Sequence, residues 1–91
     1  METKWQISPE VLSSKIDEEV ILMSIEADSY FGLDPVGSRI WEILSKQPAS
    51  IIELVNTMME EYEVDEATCL NDVQAFVYDM SGRKLIIQVA D

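Results

Sequence analysis

Residues 28–41 run Asp28-Ser29-Tyr30-Phe31-Gly32-Leu33-Asp34-Pro35-Val36-Gly37-Ser38-Arg39-Ile40-Trp41, and the reading of this stretch decides the fold. Tyr30, Phe31 and Leu33 favour a strand, and Gly32 among them predicts a bulge or a close backbone approach. Asp34 suits an N-cap whose carboxylate accepts from free backbone N–H groups. Pro35 suits the first helical position, where its missing donor costs nothing. Val36, Ile40, Trp41 and Leu44 then recur at helical spacing, with Gly37 on a turn where a neighbour can pack close. A short strand therefore runs straight into a helix. Preceded only by a hairpin, such a strand lies at a sheet edge, where one row of backbone donors and acceptors stays unpaired. That row is the expected functional surface.

The chain around this element has 91 residues, which predicts one small domain spanning 1–91. Hydrophobic residues make up 47%, enough for a core despite the charge. The single cysteine, Cys69, has no internal disulfide partner, so nothing suggests a secreted scaffold. No apolar run approaches the roughly 20 residues of a membrane span, and the N-terminus lacks the regions of a signal peptide. The expectation is a soluble, cytoplasmic protein with no membrane partner. A net charge of −12, from 18 acids against 6 bases, disfavours nucleic acid, whose phosphates are bound by Lys and Arg. It favours solubility and any partner with basic residues.

Upstream of the key stretch, residues 1–9 hold Trp5 and Ile7 before Ser8-Pro9 and read as an arm or short strand. Val11–Ile16 alternates, with Leu12, Ser14 and Ile16 on one side and Val11, Ser13 and Lys15 on the other. Asp17-Glu18 suits a tight turn. Residues 19–25 are nearly all apolar, as in a central strand covered on both faces. A turn at residues 26–29 leads into the third strand, residues 30–33, so an antiparallel meander is expected.

Downstream, a first helix over about Pro35–Lys46 ends where Gln47-Pro48-Ala49 breaks the chain. Ser50 caps a second helix, and Glu53 three residues later completes a capping box. Ile52, Val55, Met59 and Tyr62 form one stripe of that helix, widened by Ile51, Leu54 and Met58. Asp65 caps a third helix with an inward stripe of Leu70, Val73, Val77 and Met80, Cys69 and Phe76 on its shoulder, and Gly82 as a left-handed C-terminal residue. Residues 85–89 read as a short last strand. The fold class is α+β: a three-stranded antiparallel sheet, then three helices, winged-helix-like, with a possible C-terminal strand.

Catalytic chemistry finds little support. The chain has no histidine and one cysteine, which removes the usual general base and the commonest transition-metal ligand. Five acids fall among residues 60–66, but Asp65 and Glu66 are explained by a helix N-terminus, and the spacing is not that of a calcium loop. No glycine-rich phosphate cradle occurs. The expectation is no catalytic residue, no metal and no cofactor. A winged-helix DNA-binding protein would place the third helix in the major groove, yet that helix carries Asp65, Glu66, Asp72 and Asp79 and no base up to Asp79. An acidic carrier protein would need a prosthetic-group serine at a helix start, whereas Ser29 precedes a strand.

The pattern resembles the PqqD-like family, the leader-peptide recognition elements of pathways that modify ribosomally made peptides. The resemblance is carried by Val20-Ile21-Leu22, by Tyr30-Phe31-Gly32-Leu33-Asp34, and by Val36-Gly37-Ser38-Arg39-Ile40-Trp41-Glu42. Further support comes from Ile52-Glu53-Leu54-Val55, Glu61-Tyr62-Glu63-Val64-Asp65 and Asp72-Val73-Gln74-Ala75-Phe76. It covers nearly the whole chain from Val11 to Leu85. The family commonly continues past the third helix with a Gly-Leu pair, where this chain has Arg83-Lys84-Leu85.

The resemblance implies a non-catalytic adaptor. A precursor's leader peptide adds as a strand on the third strand, in a groove closed by the third helix. Among such proteins the chain looks most like the free-standing recognition proteins of lasso-peptide pathways, which serve a leader peptidase and a cyclase. A PqqD-type partner of a radical-SAM enzyme is similar in layout. Strand addition draws main-chain hydrogen bonds from any peptide, while side-chain pockets choose among peptides. The expected edge is Tyr30, Phe31, Gly32 and Leu33, and the expected wall is Leu70, Val73, Phe76, Val77 and Met80. Leu70 and Val77 read as core before pocket, and Val73 and Phe76 read equally both ways. Asp72 and Asp79 can meet Lys or Arg of a leader. A monomer or weak dimer is expected.

Overall fold

The structure is a computed structural model that describes residues 3–26 and 28–89; Met1 and Glu2 of the expected arm and Ala27 of the expected turn lie outside the described residues. Four strands open the chain: β1 (Lys4–Ile7), β2 (Val11–Ile16), β3 (Glu19–Ser24) and β4 (Ser29–Gly32). Helix α1 (Pro35–Lys46), the two-residue strand β5 (Ala49–Ser50), helices α2 (Ile51–Glu61) and α3 (Glu66–Gly82) and strand β6 (Ile86–Gln88) follow.

β2, β3 and β4 form the expected antiparallel meander, in that order. Ile16 pairs with Glu19 around the Asp17-Glu18 turn, where Asp17 takes a left-handed φ of 57°, a conformation that Asp tolerates better than most residues. The alternation in β2 is as read, with Lys15 pointing inward to pair with Glu42 of α1 at 3.4 Å. β3 supplies Val20 and Leu22 to the core on that inner face, where α1 packs.

The turn from β4 into α1 is held by two side chains. Asp34 accepts from the Gly37 N–H at 2.7 Å, completing the N-cap before Pro35. The buried Ser38 hydroxyl accepts from the Val20 N–H at 2.8 Å and donates to the Leu33 carbonyl at 3.2 Å. One hydroxyl thus joins the first turn of α1 to both neighbouring strands and satisfies backbone groups that would otherwise be buried unpaired.

A second, smaller sheet has the order β5-β1-β6, and it absorbs both ends of the described chain. Trp5, opposite Ala49 and Gln88, is buried beneath it. The arm is therefore a strand. Its partner β5 lies in the break before α2, where Ser50 also caps the helix: Ser50 and Glu53 exchange hydrogen bonds of 2.9 and 3.1 Å, the expected capping box. Asp65 caps α3 through the Thr68 N–H at 3.0 Å. One cluster built on Leu22, Ile40, Trp41, Leu54, Val73, Val77, Leu85 and Ile86 fills the interior between the helices and both sheets.

Several local expectations are corrected. Gly32 forms no bulge: the β3–β4 register is continuous through it, its φ is not positive, and an added Cβ would meet only Ile21 at 3.6 Å. In α2 the buried residues are Leu54, Val55 and Met58, while Ile52, Met59 and Tyr62 are exposed, because neighbouring elements cover only one of its several apolar sides. The left-handed residue after α3 is Lys84, φ 62°, and not Gly82. Leu85 N–H donates to Met80 and Lys84 N–H to Ser81, the paired bonds of a Schellman motif with Lys84 where glycine is favoured.

Candidate functional site

The direction of each backbone group in β4 follows from one bond. Leu33 N–H donates to the Val20 carbonyl at 2.9 Å, so Leu33 faces β3. Backbone groups alternate sides along a strand, and Phe31 opposite Leu22 therefore also faces β3. Tyr30 and Gly32 present their N–H and C=O to the other side. No strand pairs with that side among the described residues, and the tail strand β6 is held by β1 in the other sheet. The open row predicted for residues 30–33 thus belongs to Tyr30 and Gly32.

Beside this edge runs a groove between the start of α1 and one flank of α3. A cavity of about 470 Å³ is lined by Asp34, Val36, Gly37, Ile40, Asp72, Ala75, Phe76 and Asp79. It adjoins a second, of about 270 Å³, that shares Val36 and Asp72 and reaches Tyr62, Val64 and Val73. Gly37 allows the close approach: a Cβ there would stand 3.0 Å from the Phe76 ring, as its spacing suggested. At the far end the Arg83 guanidinium lies 5.0 Å from the centre of the Phe31 ring, a cation–π contact tying α3 to β4. Asp79 is paired with Arg83 at 3.1 Å, and no hydrogen-bond or ion-pair partner of Asp72 is found among the described residues. Asp34 and Asp72 make the groove acidic as well as apolar.

The predicted wall separates into three groups at about 100° per residue around α3. Asp72, Phe76, Asp79 and Arg83 share the flank that faces the groove. Val73, Val77 and Met80 lie on the next side with Cys69, at most 4% exposed, and belong to the core. Leu70 sits roughly 160° around the helix from Asp72, on the flank shared with Gln74 and Tyr78, and lines neither cavity. Leu33, 8% exposed, supports the edge from beneath. Tyr30 is 71% exposed. Val36 shares the helical spacing of Ile40, Trp41 and Leu44 but, unlike them, is exposed and lines both cavities. Its position on the first turn after the edge strand was the available signal.

Burial pushes the Cys69 thiol above its usual pKa, and the thiol points to the Val55 carbonyl at 3.8 Å. That is a packed core thiol, not an activated nucleophile. Among the described residues no group of three or more His, Cys, Asp or Glu could hold a metal ion. No described helix is long and apolar enough to cross a membrane.

Residues 19–86 match the family model of coenzyme PQQ synthesis protein D (PqqD). The chain belongs to the PqqD family. Among solved structures it is similar to TbiB1 in complex with the TbiA(beta) leader peptide, at 38% identity and TM-score 0.85, covering 94% of this chain and 99% of that one. A lasso peptide synthetase B1 complexed with the leader peptide shares the fold at 19% identity and TM-score 0.79, covering 91% of this chain and 96% of that one. No curated protein matches the chain.

Proposed function

We propose that this PqqD-family chain, acting as one domain over residues 1–91, is a leader-peptide recognition element of lasso-peptide biosynthesis. The observation that carries the reading is the open row of Tyr30 and Gly32 beside an apolar groove, in a chain 38% identical to one bound to a leader peptide. The leader adds to β4 as a further antiparallel or parallel strand and takes main-chain hydrogen bonds from Tyr30 and Gly32. Alternate side chains of the leader enter the groove against Phe76, Val36 and Gly37. Asp72 and Asp79 select basic residues. Phe31, Leu33, Val73, Val77 and Met80 hold the edge and wall in place from behind.

The adaptor performs no chemistry. Ordering a flexible leader costs ~2–5 kcal/mol, so capture is firm yet reversible. Holding the leader raises the effective concentration of the attached core peptide at the leader peptidase and the cyclase. The protein works in the cytoplasm as a monomer or weak dimer.

Titration of a fluorescently labelled leader peptide tests the reading. Wild-type protein should give a saturable complex, and Phe76→Ala should weaken it by ~10-fold or more, as truncation of an aromatic anchor does, with the circular dichroism spectrum retained. Asp72→Lys should weaken a leader with a basic residue at that point and spare a neutral one. Equal affinity of wild type and Phe76→Ala would remove α3 from the site.

A further inference from the structure

We propose that the outer face of the β2-β3-β4 sheet docks a second protein, apolar at the centre of its contact and ringed by lysine and arginine: the leader peptidase that takes over the bound precursor. The identity of that enzyme rests on the leader-binding reading; the surface itself rests on the exposure and charge of the three strands.

Side chains alternate across a sheet. The inner face gives Val20, Leu22 and Phe31 to the core. The outer face carries Leu12, Ile16, Ile21, Met23, Ile25 and Tyr30, with Leu12, Ile16 and Ile25 each more than half exposed and Tyr30 at 71%. A contiguous apolar sheet face of this kind marks an interaction surface. The ends of the described chain do not cover it. β1 sits between β5 and β6 in the other sheet, and Val89 donates to Lys4 there.

The rim says what kind of partner fits. Asp17, Glu18 and Glu19 stand exposed at one end of the sheet, and Glu26 and Asp28 at the other. None of the outward positions of the three strands is Lys or Arg. Lys15, the one base in these strands, turns inward to Glu42. A second copy would bring the same acidic ends and a further net charge of −12, so face-to-face pairing is opposed. A basic-ringed partner meets complementary charge. Tyr30 joins the two surfaces, with its backbone on the open row and its side chain on this face. A protein seated here therefore lies next to a peptide on β4, as transfer of the precursor requires.

The test uses Leu12→Ser with Ile16→Ser, whose parent side chains are exposed enough to leave the fold intact, and a charge variant, Glu18→Lys with Glu19→Lys. Each is titrated with labelled leader peptide and, separately, with the purified leader peptidase that acts on the same precursor, at low and high salt. Expected are leader affinities within about twofold of wild type and peptidase binding weakened by about tenfold or more in both variants. Wild-type peptidase binding should also weaken with salt. Unchanged peptidase affinity in both variants, absence of any wild-type complex, or a wild-type dimer in sedimentation that the Ser variant dissociates would overturn the proposal. Failure of the leader to bind wild type would instead overturn the function, whichever way the peptidase arm reads.

Discussion

Phe76 lies against Gly37, so close that a Cβ at position 37 would stand 3.0 Å from its ring and 3.1 Å from the capping Asp34 carboxylate. This contact sets how near α3 comes to the first turn of α1, and so the width of the groove beside β4. Gly37→Ala should push the ring outward and strain the cap. Overpacking of this size costs ~1–3 kcal/mol. The predicted outcome is a lower urea midpoint together with weaker leader binding, whereas a fall in stability with unchanged affinity would mean the groove is not used.

Position 32 separates backbone from side-chain effects. Its N–H faces away from β3, so Gly32→Pro removes an outward donor while leaving the β3–β4 ladder intact. One net hydrogen bond is worth ~0.5–1.5 kcal/mol, so leader affinity should fall by about 2- to 13-fold, with a small change in melting temperature. Gly32→Ala keeps the donor and adds only an ordinary contact with Ile21, and should bind as wild type does.

The Schellman turn after α3 carries its own prediction. Lys84 holds φ 62°, a conformation that costs an L-residue about 1–2 kcal/mol. Lys84→Gly should recover part of this and raise the urea midpoint. An unchanged or lower midpoint would show that the Lys84 side chain compensates for its backbone.

Stability should depend on acid through α2 and its neighbours. The Arg39 guanidinium, bonded to Glu61 at 2.6 and 2.5 Å, holds that carboxyl below its usual pKa. Glu53 is lowered by the Ser50 N–H and then by Lys4, and Asp65 by the Thr68 hydroxyl and then its N–H. Each folded-state value lies below the unfolded one, so the unfolded chain binds more protons in that range. Their stabilisation is complete above the unfolded carboxylate values, about 4, and is lost as pH falls through the folded ones. Glu61→Gln should flatten the acid limb of a stability-against-pH curve, by no more than ~1 kcal/mol for so exposed a pair.

Local chemistry was legible in the sequence, and non-local pairing was not. Asp34, Ser50 with Glu53, and Asp65 announce their helices because a cap is settled within four residues. The β2 alternation and the edge position of residues 30–33 were readable for the same reason. The pairing of β1 with β5 and β6 depends on partners more than 40 residues away, so the second sheet was invisible beyond two short strands. In α2, apolar residues occupy several sides, and only packing decides that Leu54 is buried and Ile52 exposed. In α3 the difference between the expected wall residues is angular. Leu70 and Phe76 are both apolar on the same helix, but only Phe76 falls on the flank with Asp72. Lys84 was missed because its side chain carries no sign of a left-handed backbone.

The central claim concerns which backbone amides are vacant. Amide hydrogen exchange followed by NMR, with and without saturating leader peptide, reads them one by one. The account predicts that Tyr30 and Gly32 exchange quickly in the free protein and become protected in the complex. Phe31 and Leu33, already bonded to β3, should be protected in both. A saturated complex in which Tyr30 and Gly32 still exchange as in the free protein would contradict strand addition on β4.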